Sequence, residues 1–208
     1  MLTVNGVISG AGGTTVQGPA SRGRGIVILT GNNTYSGATT VGYGGTLYVD
    51  GNQPATAVTV TDDGTFDDDG TTGSVDNSGY VELLGGVQAD QCPGVVSIDG
   101  NLILETGSQL FTMIGTCGKP PAQTVGSARV SGAISIAKGA GLSVSLIGDK
   151  PQVACLLSSQ VSLTGQFQGI GQGSTEPDPS GGKVVFSYDT PGGAGCDAHA
   201  FTATTGVH

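Results

Sequence analysis

Few side chains in this 208-residue chain are placed to do chemistry. The densest acidic stretch is Asp62-Asp63-Gly64-Thr65-Phe66-Asp67-Asp68-Asp69-Gly70. Carboxylates beside tight glycine turns suit Ca²⁺. The stretch has neither EF-hand spacing nor the Gly-Gly-x-Gly-x-Asp repeat. The favoured reading is a solvated corner that blocks edge-to-edge association. Cleavage of polysaccharides needs carboxylates gathered on one face, often with Lys or Arg. Glu82, Asp90, Glu105 and Asp189 are the candidate acids, and no Arg or Lys lies near the first three in sequence. A Ser-His-Asp triad would need His199 or His208, and no Gly-x-Ser-x-Gly elbow accompanies either. The chain therefore reads as carrying no catalytic set, no cofactor site and no metal site.

The four cysteines are Cys92, Cys117, Cys155 and Cys196. None has Cys-x-x-Cys spacing, so zinc and redox motifs are disfavoured. An even count in a Gly- and Thr-rich chain reads as two disulfides formed in an oxidising compartment. Three pairings are possible. Cys92–Cys117 and Cys155–Cys196 are favoured, because each joins segments that can sit on neighbouring coils.

Charge and composition narrow the partners. The formal charge is −9, with only seven Lys and Arg. Nucleic acid needs a basic footprint, which this chain lacks. An anionic membrane surface is disfavoured for the same reason, and no apolar run reaches the roughly 18 residues of a spanning helix. Glycine, at 39 residues, opposes helix throughout. Met1 opens on Leu2-Thr3-Val4 with no apolar leader, and it falls within a repeat-like phrase. The reading is a single domain, residues 1–208, excised from a longer secreted or surface protein.

The elements that must position these residues are short strands. Apolar residues two apart are followed, six residues on, by another such set. Thr39 and Val41 lead to Leu47 and Val49, and Val58 and Val60 to Phe66. Leu102 and Leu104 lead to Leu110 and Thr112, and Ile134 and Ile136 to Leu142 and Val144. Period-2 spacing marks strands with one buried face. The intervening Gly44, Gly45, Gly64, Gly107 and Gly139 supply corners. Such strand–corner–strand units predict a solenoid with Leu47, Val60, Phe66, Leu104, Leu110, Ile136, Leu142 and Val144 inward. The rival is a sandwich, with hairpins at Asp50-Gly51, Asp63-Gly64 and Asp99-Gly100. Residues 169–182 read as a mobile loop in which Pro and Gly oppose strand pairing. Phe201, near the end, reads as an aromatic free to pack on another copy.

One phrase is more specific. Leu29-Thr30-Gly31-Asn32-Asn33-Thr34-Tyr35-Ser36-Gly37-Ala38-Thr39-Thr40-Val41 is followed by Gly45-Thr46-Leu47-Tyr48-Val49, after a lead-in at Asn5-Gly6-Val7-Ile8-Ser9-Gly10. Over residues 5–49 the chain resembles the passenger-associated strand repeat of bacterial autotransporter proteins. The resemblance implies an all-β fold, a right-handed parallel β-helix displayed or released outside the cell. Two functions from different classes are carried forward. The first is a non-enzymatic structural or adhesive module contacting host or matrix surface, glycan or copies of itself. The alternative is a carbohydrate-active β-helix.

Overall fold

Three phrases of the sequence align on a glycine: Gly45-Thr46-Leu47-Tyr48-Val49, Gly64-Thr65-Phe66-Asp67-Asp68 and Gly79-Tyr80-Val81-Glu82-Leu83. In the computed structural model they stack as parallel neighbours, with Leu47 beside Phe66 and Phe66 beside Val81. The glycines are required by the stacking itself. A Cβ on Gly45, Gly64 or Gly79 would collide with the carbonyl of Val16, Val41 or Thr61, one coil earlier. The structure describes residues 1–19, 24–84, 92–117, 122–147, 153–177, 182–188 and 196–207, with no side-chain description for residues 117, 122–124 and 207.

Among the described residues the fold is all-β, without helix. Three sheets are visited in turn, coil upon coil, as in a β-solenoid. Gly45–Val49 lies in the first sheet, Asn52–Gln53 in the third and Val58–Val60 in the second. Thr65–Asp68 then returns to the first. All seven strands of the second sheet, Thr14–Val16 to Ser162–Gly165, pair in parallel. Coil length varies about twofold, since Thr65 pairs Tyr80 whereas Gln109 pairs Gly141. That is why no single period runs through the sequence.

Alternation along each strand sends one side chain inward and the next outward. Leu47, Val60, Phe66, Leu104 and Leu110 are fully buried, and Ile136 nearly so. The internal match between residues 100–107 and 132–139 is a true stack: Leu102 pairs Ile134 and Leu104 pairs Ile136. Leu142 and Val144 also face the bore but are only partly buried. Their strand, Gly141–Ile147, is the last parallel member of the first sheet.

The Asp-Gly pairs are corners between sheets and not hairpins. Asp50-Gly51 leads from the first sheet to the third, Asp63-Gly64 from the second to the first, and Asp99-Gly100 from the third to the second. At the corner into the first sheet the left-handed residue is Gly44 (φ 64°) in one coil and Asp63 (φ 62°) in the next. Aspartate is among the few non-glycine residues that accept this conformation.

The phrase that carries the resemblance ties coils together. Asn33 Oδ1 accepts from Ile8 N at 2.9 Å, one coil earlier. The carbonyl of Tyr35 accepts from Thr56 Oγ1 at 2.8 Å, one coil later. Gly37 lies against the backbone of Gly12 and Gly13, where a Cβ has no room.

The carboxy-terminal end changes plan. Val153–Ser159 closes the parallel run of the third sheet, and His199–Val207 pairs with it antiparallel. Lys183–Tyr188 and Thr175–Pro177 follow, both antiparallel. Thr175–Pro177 corrects the expectation that residues 169–182 avoid strand pairing. It is the edge of the sheet, where proline's missing N–H costs no ladder bond. Residues 178–181 of that stretch lie outside the described residues. Phe201, expected to meet another copy, is wholly buried. It contacts Phe167, Phe186 and Tyr188 at centroid distances of 5.4, 5.6 and 4.5 Å. The Tyr188 hydroxyl donates to the Ile170 carbonyl at 2.8 Å. Cys155 and Cys196 are disulfide-bonded with Cα atoms 5.8 Å apart, tying this cap to the last coils. Cys92 is also in a disulfide. The expected Cys92–Cys117 pairing involves the Cys117 side chain, which lies outside the described residues.

Candidate functional site

The outer face of the first sheet carries a cluster of polar and aromatic side chains. Register stacks Ile28, Tyr48, Asp67, Glu82 and Phe111 in one outward column. A second column holds Thr46, Thr65, Tyr80 and Gln109. Tyr43 projects from the corner Gly42-Tyr43-Gly44, and Arg24 precedes the strand Gly25–Leu29. Together Arg24, Tyr43, Thr46, Asp63, Thr65, Tyr80 and Glu82 line a cleft of about 510 Å³, floored partly by Gly44 and Gly45. Tyr43, on the corner, is 59% exposed and Tyr80, on the strand, 46%.

Burial pushes the Glu82 carboxyl above its ordinary range, and the Arg24 guanidinium pulls it back. Burial also raises the Tyr48 phenol, helped by the negative charges of Glu82 and Asp67. Glu82 thus acquires the basic neighbour that its local sequence lacks, and a cleft to face. Glu105 is elsewhere, exposed on the turn after Leu102–Leu104, where its N–H donates to Asn77 O at 2.8 Å. Asp90, Asp189 and His208 lie outside the described residues.

The acidic stretch divides in two: Asp62, Asp63 and Asp69 are exposed at corners, as expected, whereas Asp67 and Asp68 are buried in the strand between them. Asp62 and Asp63 precede the strand Thr65–Asp68, while Asp67 and Asp68 alternate to its two faces. Asp67 is 1% exposed and Asp68 fully buried. Asp67 Oδ1 accepts from Asp68 N at 2.9 Å and from Leu84 N at 3.3 Å. Asp68 Oδ1 accepts from Gly70 N at 2.6 Å. Burial and the nearby carboxylates push Asp68 well above the ordinary range, against that hydrogen bond. Among the described residues no group of three or more His, Cys, Asp and Glu is arranged to hold a metal ion.

Near His199 two serine hydroxyls are engaged structurally. Ser158 Oγ donates directly to Asp197 Oδ2 at 3.0 Å, where a triad would place a histidine between them. Ser159 Oγ donates to Gly132 O at 2.6 Å and accepts from Val161 N and Ser162 N.

Sequence reasoning missed Arg24, Tyr43 and Tyr80 as a group. They come from three different passages of the chain, two of them separated by Thr65–Asp68, and only the register brings them together. The chain matches no protein-family model and no curated protein. Among the described residues no helix is long and apolar enough to cross a membrane.

Proposed function

We propose that this chain is a non-enzymatic structural and adhesive module, a right-handed β-helix of the autotransporter-passenger type at a bacterial surface or outside the cell. The observation that carries the reading is the stack itself. Backbone hydrogen bonds running coil to coil fix a rigid scaffold whose outer side chains are free to meet a partner. The disulfide Cys155–Cys196 suits an oxidising, extracellular setting. The outer face of the first sheet, with its exposed tyrosines, is the contact surface; host or matrix glycans are the partners that suit it, and further copies of the chain can add at free strand edges.

One observation favours the carbohydrate-active alternative: Glu82, a carboxyl raised by burial, sits in a cleft with Arg24 and a second carboxylate, Asp63. A panel of neutral and acidic polysaccharides separates the two readings. The adhesive module retains polysaccharide without releasing new reducing ends. Turnover that disappears in Glu82→Gln would contradict it.

A further inference from the structure

The cleft on the first sheet is lined by two exposed rings together with polar groups of both signs. Its two exposed rings come from different coils. Tyr43 belongs to the corner before Gly45–Val49, and Tyr80 pairs with Thr65, which pairs with Thr46. Tyr80 therefore stands two strands above Thr46, about 9–10 Å at the usual inter-strand spacing. Gly44, Gly45, Thr46 and Thr65, all short residues, line the same cleft and leave room for a small ring to lie against either tyrosine. The volume of about 510 Å³ lies within the usual range for small-ligand sites.

The polar groups are sparse and of mixed sign. Arg24, Asp63 and Glu82 line the same cleft. A guanidinium and carboxylates offer donors and acceptors suited to hydroxyl pairs. One cation against two carboxylates, within a chain of formal charge −9, disfavours phosphate, sulfate and uronate ligands.

We infer that this cleft binds a single neutral pyranose residue of a glycan, its C–H face against Tyr80 or Tyr43 and its hydroxyls on Glu82, Asp63 and Arg24. The assignment rests on the adhesive reading above and gives it a ligand class and an address.

The test is a ¹H–¹⁵N chemical-shift titration of the full chain with methyl β-glycopyranosides of glucose, galactose, mannose and N-acetylglucosamine. At least one is expected to shift the amides of Gly44, Gly45, Thr65 and Tyr80, with a Kd on the order of 1 mM for so small a probe. Tyr43→Ala and Tyr80→Ala alter exposed side chains and leave the core intact. At least one should weaken binding about tenfold, the loss of one aromatic contact. Asp76→Ala, on the exposed outer face of the second sheet, should change nothing. The inference is overturned if none of the four glycosides moves those amides. It is equally overturned if both tyrosine variants bind undiminished, or if tetramethylammonium saturates the cleft while the sugars do not. Release of reducing ends from polysaccharide, with glycoside binding intact, would instead overturn the non-enzymatic reading and leave the cleft assignment standing.

Discussion

The two halves of the bore are built from different materials. In the amino-terminal coils the interior holds Asn33, Tyr35, Thr39, Gln53, Asp68 and Thr72, all buried. Tyr35 OH and Thr39 Oγ1 are 2.6 Å apart, and Tyr35 OH donates to Gln53 Oε1 at 3.3 Å. In the carboxy-terminal coils most of the equivalent inward positions are apolar, with Thr112 and Ser159 as buried exceptions. On the third sheet Gln53 is stacked beneath Thr72, and Thr72 beneath Ile98 and then Val130. The bore ends in the cluster of Phe167, Phe186, Tyr188 and Phe201. The difference teaches where stability and tolerance should lie. An apolar, aromatic plug gains from burial alone. A polar interior gains only while its groups are paired, and among the described residues Gln53 Nε2, Asp68 Oδ2 and Thr72 Oγ1 have no hydrogen-bond partner.

The largest expected effect is therefore at the plug. Phe201→Ala empties the centre of the aromatic cluster and should cost about 3–5 kcal/mol, read from denaturant midpoints. A loss below about 1 kcal/mol would show that the cap is not a packed core and would break the comparison.

Next comes the cross-link on the same cap. Cys155 and Cys196 are 41 residues apart in sequence. Replacing both by alanine should remove about 2–4 kcal/mol, which the chain-entropy account assigns to the unfolded ensemble. The loss should appear in antiparallel His199–Val207 before the amino-terminal coils, as faster amide exchange there.

The smallest effect sharpens the contrast from the other side. The folded Asp68 carboxyl is raised by burial, so it stays protonated where the unfolded chain ionises. Below about pH 4 both states hold the proton and its contribution to stability is fully present. As pH rises towards the folded value, the unfolded state binds fewer protons and that contribution is lost. Asp68→Asn keeps an acceptor for Gly70 N and cannot ionise. It should match the native protein near pH 4 and exceed its stability near pH 8 by on the order of 1–3 kcal/mol. A variant less stable than the native protein at both pH values would refute this.

The same contrast marks what was legible in the sequence. The apolar half could be read directly, since Leu102, Leu104, Ile134 and Ile136 announce a buried face by type and spacing. The polar half could not, because side-chain polarity marks Gln53, Asp68 and Thr72 as outward, even though alternation puts Asp68 on the face of Phe66. Their burial follows from coil stacking, which overrides side-chain preference. Coil closure and corners were legible in Gly44, Gly64, Gly107 and Gly139. The antiparallel cap was not, since Val184-Val185-Phe186 has the same pattern in either strand sense. The cleft was legible in part. Aligning the glycines Gly45, Gly64 and Gly79 places Thr46, Thr65 and Tyr80 in one column and Tyr48, Asp67 and Glu82 in the next. Arg24 and Tyr43 lie off that alignment and need the corners in three dimensions.

The central claim is that the outer face of the first sheet is the working surface of a scaffold that binds without cutting. Retention on beads carrying neutral polysaccharide tests it, with three proteins compared: the native chain, Tyr43→Ala/Tyr80→Ala, and Asp76→Ala/Ser135→Ala on the exposed face of the second sheet. The account predicts that the native chain and the second-sheet variant are retained, that the tyrosine variant washes through, and that no reducing ends appear. Equal retention of all three, or release of fragments by the native chain, would contradict it.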